Sequence, residues 1–71
     1  MKYAVIVEEG DSSFGAYVPD LPGCIAVAET RAEVVELIQS AIEFHLEGLR
    51  EEGLAVLAPS SSIEYVDVRA A

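Results

Sequence analysis

The chain is short of the features that usually stabilise or specialise a small protein. Among its 71 residues there is one cysteine and no tryptophan, and four Lys and Arg face 13 Asp and Glu, for a formal net charge of −9. With a single cysteine no intrachain disulfide can form. Phosphate contacts need clustered basic residues, so the sequence predicts no direct binding to nucleic acid. No apolar run approaches the roughly 20 residues of a membrane span, so we expect no membrane insertion.

The chain is small and its sequence offers neither a disulfide nor a metal site to stabilise it, and together these facts predict self-association. A 71-residue chain lies near the lower limit for an unassisted core. The sequence has no cluster of metal ligands, so we expect neither a metal nor a cofactor. Additional buried area must then come from association, and we expect a homo-oligomer, either a dimer or a tetramer. One unpaired thiol and the lack of a signal-peptide pattern predict a cytoplasmic protein.

Turn residues and side-chain alternation divide the chain into five elements within a single domain, residues 1–71. We predict strands over about residues 2–8, 14–19, 24–28 and 63–68, and a helix over about residues 31–52. Thr30 is a natural N-cap with Glu33 at the capping-box spacing, and Gly53 is placed to end the helix. A right-handed helical crossover puts the last strand beside the first. The prediction is an α+β fold, β-β-β-α-β, with a four-stranded sheet in the order 3-2-1-4 and one helix on one face.

The predicted helix has an acidic stripe and a wide apolar arc. The acidic stripe consists of Glu36, Glu43, Glu47 and Glu51. Two interpretations of it stay open: a solvated face that keeps an oligomer soluble, or a partner-binding surface that mimics phosphate for a basic, RNA-cleaving protein. The apolar arc is wider than the roughly 100° that covering one small sheet requires. This surplus again favours self-association.

A pentapeptide between the second and third predicted strands has the composition of a turn. Its residues are Asp20, Leu21, Pro22, Gly23 and Cys24. The Pro-Gly pair suits the central positions of a type II turn, and the aspartate can cap that turn through its carboxylate. The leucine and cysteine side chains can pack inward. We assign these five residues a structural role, together with the capping pair Thr30 and Glu33.

Two catalytic interpretations depend on residues that the sequence would have to bring together. Cys24 could act as a nucleophile only with His45, the single histidine, within hydrogen-bonding reach. A two-metal nuclease needs carboxylates that converge from neighbouring strands, but the middle of the first strand reads Ala-Val-Ile-Val over residues 4–7. We therefore predict no enzymatic activity, and packing roles for the cysteine and the histidine.

The run from Phe14 to Cys24, followed by Glu29 and Thr30 at the helix start, resembles the HicB-like antitoxin family. The resemblance extends from Tyr3 to Val68 and implies a partial ribonuclease-H-like fold. It also implies a partner, a small basic HicA-type toxin that cleaves messenger RNA and carries the catalytic histidine itself. The antitoxin would inhibit the toxin by covering its active site.

The sequence departs from the family pattern after its last predicted strand. Full-length members usually continue into a DNA-binding segment, whereas three residues follow Val68 here, so we expect a short form without that segment. The sequence supports two functions. The first is a non-enzymatic antitoxin that neutralises a HicA-type toxin. The alternative is a stand-alone oligomeric module, with a ligand-binding or structural role and no toxin partner.

Overall fold

A computed structural model describes residues 1–70 of the chain as a three-stranded sheet followed by one helix. The strands are β1 (Ile6–Glu9), β2 (Phe14–Tyr17) and β3 (Ile25–Ala28), and the helix is α1 (Arg31–Glu51). The predicted α+β class is therefore confirmed. Each strand has four residues, which is shorter than the sequence predicts for every one of them.

The sheet is an antiparallel meander in the order β1-β2-β3. Tyr17 stands between Ile6 and Ile25 in the register, so these side chains form one row on the outer face. On the opposite, inner face Ala16 stands between Val7 and Ala26. The β1–β2 connection is closed by a 2.8 Å hydrogen bond from Gly10 N–H to the Ser13 carbonyl.

The core lies between the inner face of the sheet and one side of α1. Its buried side chains are Ala16, Val18, Leu21, Cys24, Val34, Ile38 and Leu46. Val34 and Ile38 are four residues apart, so they lie one above the other on the same side of the helix. Burial of side chains of this size stabilises the fold by roughly 1.5–3 kcal/mol each. A core this small leaves little reserve of stability.

Local capping defines both ends of α1. At the first end the Thr30 hydroxyl accepts a 3.1 Å hydrogen bond from Glu33 N–H and donates one of 2.9 Å to the Glu33 carboxylate. At the other end Gly53 has a positive φ of 73°, which a residue without a Cβ adopts at little cost. Its N–H bonds the Arg50 carbonyl, and Leu54 N–H bonds the Leu49 carbonyl. This pair of bonds is the Schellman motif, and it stops the helix.

The fourth strand predicted over residues 63–68 does not appear in the structure. Those residues belong to no strand, so the observed sheet has three strands, not four, and the complete order 3-2-1-4 of a ribonuclease-H-like sheet is not observed. The physical reason is that a strand requires a hydrogen-bonding neighbour. The alternating side chains of residues 63–68 indicate an extended conformation, but they do not specify which sheet edge, or which chain, completes the ladder.

Candidate functional site

An open groove with a volume of about 920 Å³ lies between β1 and α1. We call it the β1–α1 groove. Its apolar lining comes from both elements and from the residues before β1: Met1, Tyr3, Val5, Val7, Val35, Ile38, Ile42 and Leu46. Its polar lining comes from α1 alone: Gln39, Glu43, Glu47 and Arg50. The groove therefore combines an apolar floor with a charged helical rim.

The position of the helix explains why this groove stays open. Helix α1 packs mainly on β3, less on β2, and least on β1. Strand β1 is also the edge of the sheet, so nothing in the described part of the chain pairs with its outer side. The inner face of β1 consequently meets only the flank of the helix. A large exposed apolar surface of this kind usually marks a contact site.

The four glutamates of the acidic stripe do not all lie at the groove. Glu36, Glu43, Glu47 and Glu51 are all exposed on α1, but only Glu43 and Glu47 line the groove. These two are separated by one helical turn, where like charges repel mildly. The side chain of Gln39 donates a 3.5 Å hydrogen bond to Glu43 Oε1. The rim thus presents adjacent carboxylates directly above an apolar floor, a pairing that sequence alone does not predict.

The pentapeptide forms a compact turn beside β2 and β3. Three backbone hydrogen bonds close it, from Val18 N–H to the Cys24 carbonyl, Leu21 N–H to the Val18 carbonyl and Cys24 N–H to the Leu21 carbonyl. Gly23 supplies the positive φ, at 85°. The side chains of Leu21 and Cys24 are buried in the core.

Asp20 has a different role from the turn cap expected of it. Its carboxylate accepts four hydrogen bonds from residues 40 and 41 positions later, namely the backbone N–H and the hydroxyl of both Ser60 and Ser61, at 2.7–3.1 Å. These bonds favour the charged carboxylate. They lower the pKa of Asp20 from 3.8 to about 2, with the Ser61 backbone bond as the largest cause. Asp20 therefore fixes the segment after α1 to the turn between β2 and β3.

Ser60 and Ser61 are the residues that sequence reasoning did not identify as partners of the pentapeptide. In the sequence these two residues belong to a serine run after Pro59, a pattern that predicts a loop and does not identify a partner. A second hydrogen bond also holds the residues after α1: the Tyr3 hydroxyl donates a bond of 2.9 Å to the Leu57 carbonyl. Residues 54–62, which we call the exit segment, are thus bonded at two places, to Tyr3 before β1 and to Asp20 in the turn between β2 and β3.

The structure gives no support to thiol chemistry. Cys24 is buried, and burial raises the pKa of its thiol, which disfavours the reactive thiolate. His45 is half-buried on α1. Among residues 1–70 no group of three or more His, Cys, Asp or Glu side chains could hold a metal ion. Within the same residues no helix is both long enough and apolar enough to span a lipid bilayer.

Comparisons with known proteins give one consistent family. Residues 3–70 match the family model described as the HicB_like antitoxin of bacterial toxin-antitoxin system. A UPF0150 protein from Thermoplasma acidophilum is 32% identical over 71 residues, 99% of this chain and 100% of that protein. A UPF0150 protein from Helicobacter pylori is 31% identical over 82% of this chain and 81% of its own length.

A longer relative shares only part of its length with this chain. It is a 14.9 kDa protein of Haemophilus phage HP1, from the rep-hol intergenic region, 35% identical over 73% of this chain. The match covers 39% of the phage protein. No solved structure matches the chain.

Proposed function

The chain belongs to the HicB-like antitoxins of bacterial toxin–antitoxin systems, and from this membership we propose that it neutralises a small, basic, HicA-type toxin that cleaves messenger RNA. The single observation that carries the proposal is the family match, which spans residues 3–70. The proposed action is binding without catalysis: the antitoxin covers the RNA-binding surface of the toxin. We place this function in the cytoplasm, where messenger RNA is found.

Charge supports a basic partner. The chain has a formal net charge of −9, and the four exposed glutamates of the acidic stripe lie along α1. A toxin that binds RNA must present basic residues to phosphate groups. The acidic stripe can occupy the same basic residues, because carboxylates repeat along the helix as phosphates do along a strand of RNA. Complementary charge of this kind mainly accelerates association and selects the partner.

The β1–α1 groove adds an apolar surface, which the charges of the acidic stripe do not provide. Interfaces need a desolvated apolar centre, with polar residues at the rim. Glu43 and Glu47 stand at the rim of the β1–α1 groove, and the apolar residues of α1 and β1 lie immediately below them. We propose that toxin binding centres on these two glutamates and that Glu36 and Glu51 extend the contact along the helix.

A pair of matched charge reversals tests the proposal. Glu43→Lys with Glu47→Lys changes the rim of the groove, while Glu8→Lys with Glu9→Lys makes the same charge change at the far, exposed end of β1. The probe is the product of the neighbouring gene, and RNA cleavage is the readout. We expect the rim variant to need about ten-fold more protein for half-inhibition. Equal losses from both variants would mean that only net charge matters.

The alternative function, a stand-alone oligomeric module without a toxin, has one specific observation in its favour. Large apolar side chains are exposed away from the groove, including Phe44 at 80% and the outer-face residues Ile25 and Val27 at 68% and 65%. Such surface favours self-association. We propose a homo-oligomer in either case. If the product of the neighbouring gene does not bind this chain and no RNA cleavage is inhibited, the stand-alone function replaces the antitoxin function.

A further inference from the structure

Helix α1 carries a second apolar stripe, on the side away from the β1–α1 groove. Its four residues are spaced four, three and four positions apart, which places them in one line along the helix: Leu37, Ala41, Phe44 and Gly48. We call these residues the outer flank. Leu37 is 48% exposed and Phe44 is 80% exposed, and neither belongs to the core or packs against it. The packing of this chain therefore does not explain why these two positions are apolar.

The acidic stripe separates the outer flank from the groove. Leu46 lines the groove, and Phe44, two residues earlier, lies on nearly the opposite side of the helix. Glu47 lies between them, about 60° around the helix from Phe44. A protein that binds the glutamates of the acidic stripe therefore meets apolar surface on both sides of them, the groove on one side and the outer flank on the other.

Gly48 is a second, independent observation on the same flank. It lies inside α1, where glycine is less favourable than alanine. Nothing lies within 4 Å of a Cβ built at this position, so packing within the chain does not require a residue without a side chain. Gly48 follows Phe44 by four residues, which places open space directly beside the exposed ring. A glycine in this setting fits the close approach of another molecule to the helix backbone.

The charges around the outer flank favour a basic partner over a second copy of this chain. Glu47 and Glu51 are exposed on the side of the helix next to Phe44, and Glu33 is exposed one turn before Leu37. A second copy brings the same glutamates and a further net charge of −9. Like charges that face each other across an interface oppose binding, whereas Lys and Arg of a basic partner complement them.

We propose that Phe44 and Gly48 belong to the toxin-binding surface, which extends from the groove across the acidic stripe onto the outer flank. This assignment rests on the antitoxin function proposed above. Phe44 inserts into an apolar pocket of the basic partner, and Gly48 lets the partner come close to the helix beside the ring. A central aromatic side chain ringed by polar residues is the usual form of an interface residue that contributes much of the binding energy.

Gly48→Leu separates binding from stability. Leucine is a better helix former than glycine, and the space at this position is open, so the thermal midpoint of the chain should not fall. The added side chain blocks the close approach, so the affinity for the product of the neighbouring gene, measured by calorimetric titration, should fall about ten-fold or more. The matched control is Ala32→Leu, at another exposed position of α1, which should stay within about two-fold of the wild type.

Phe44→Ala tests the aromatic anchor. The ring is exposed in the free chain, so its removal should change the thermal midpoint little, whereas the affinity in the same titration should fall about ten-fold or more. The matched control is Tyr65→Ala, which removes an aromatic ring that is 93% exposed and lies outside the helix. This control should bind within about two-fold of the wild type.

Three results would overturn the assignment, and they differ in what they leave standing. If Phe44→Ala or Gly48→Leu binds as tightly as the wild type while Glu43→Lys with Glu47→Lys binds more weakly, the toxin contacts the groove side alone and the antitoxin function stands. If Gly48→Leu lowers the mass of the chain alone in light scattering, the outer flank is a contact between copies of this chain. If the wild type does not bind the product of the neighbouring gene, the antitoxin function fails and the assignment fails with it.

Discussion

Ser61 donates two hydrogen bonds to the carboxylate of Asp20, a residue 41 positions earlier, from its hydroxyl at 2.7 Å and from its backbone N–H at 2.9 Å. This contact connects the turn between β2 and β3 to the exit segment after α1. It holds the exit segment in place and gives the pentapeptide a contact with residues far from it in the sequence.

The Asp20 contact predicts a loss of stability in acid. The folded protein holds the pKa of Asp20 at about 2, below its ordinary value of 3.8, so the charged carboxylate stabilises the fold above about pH 4. This contribution is lost as the pH falls from about 4 to 2. We expect Asp20→Asn to be less stable than the wild type at pH 7 and to show a weaker dependence on pH below 4. Urea unfolding midpoints between pH 7 and pH 2 measure the difference.

A matched control for that experiment is Asp11→Asn, which removes a carboxylate from the exposed β1–β2 turn. It should keep the acid dependence of the wild type. If Asp20→Asn and Asp11→Asn follow the same curve, the Asp20–serine contact contributes nothing to folding in solution.

The second prediction concerns the stability contributed by the N-cap of α1. The Thr30 hydroxyl accepts the hydrogen bond from Glu33 N–H, so Thr30→Ala leaves a helical N–H without its partner. The free energy of unfolding should fall by about 1 kcal/mol, within a range of roughly 0.5–2. Thr30→Ser keeps the hydroxyl and should lose much less. Equal losses for the serine and alanine variants in chemical denaturation would show that the hydroxyl is not the stabilising group.

The third prediction concerns the stability contributed by the core side of α1. Ile38 is 2% exposed, whereas Val35 on the same helix is 47% exposed. Ile38→Ala should lower the free energy of unfolding by roughly 2–5 kcal/mol, because a cavity remains. In so small a domain that loss can unfold the chain at room temperature, so Ile38→Val, with an expected loss of about 0.5–1.5 kcal/mol, provides a measurable companion. Val35→Ala should cost less than Ile38→Val, and the reverse order would contradict the observed orientation of the helix.

Substitution of Gly48, within α1, and of Gly53, just after it, should change the stability of the protein in opposite directions. Nothing lies within 4 Å of a Cβ built at Gly48, a helical position. Gly48→Ala should therefore stabilise the protein by about 0.4–1 kcal/mol. Gly53 has open space too, but its φ is +73°, so Gly53→Ala should destabilise it by roughly 1–2 kcal/mol. A thermal midpoint that rises in Gly53→Ala would contradict the Schellman end of the helix, and one that falls in Gly48→Ala would contradict the open space at that position.

Local signals explain why the helix could be predicted well from the sequence. Thr30, Glu33 and Gly53 act within a few residues of themselves, and the observed helix, Arg31–Glu51, differs from the predicted one by a single residue. The three-strand meander follows from similar local turn signals, Gly10 in one turn and Pro22 with Gly23 in the other. Helix caps and tight turns depend on contacts between residues close together in the sequence, so residue spacing predicts them.

Non-local contacts explain what could not be predicted. The strand predicted over residues 63–68 depends on a neighbour that sequence spacing does not identify. The Asp20–Ser61 contact spans 41 residues, and serine runs occur in many loops that have no such partner. Glu43 and Glu47 were identified by helical spacing, but their place at the rim of a groove depends on how α1 crosses β1. These features arise when separate elements pack, so they appear only in the folded chain.

The most direct test of the account is to measure RNA cleavage by the product of the neighbouring gene while this chain is titrated in. The antitoxin function predicts complete inhibition at a fixed stoichiometry, weakened about ten-fold by Glu43→Lys with Glu47→Lys and much less by Glu8→Lys with Glu9→Lys. Cleavage that continues unchanged at saturating concentrations of the folded wild-type chain would contradict the central claim.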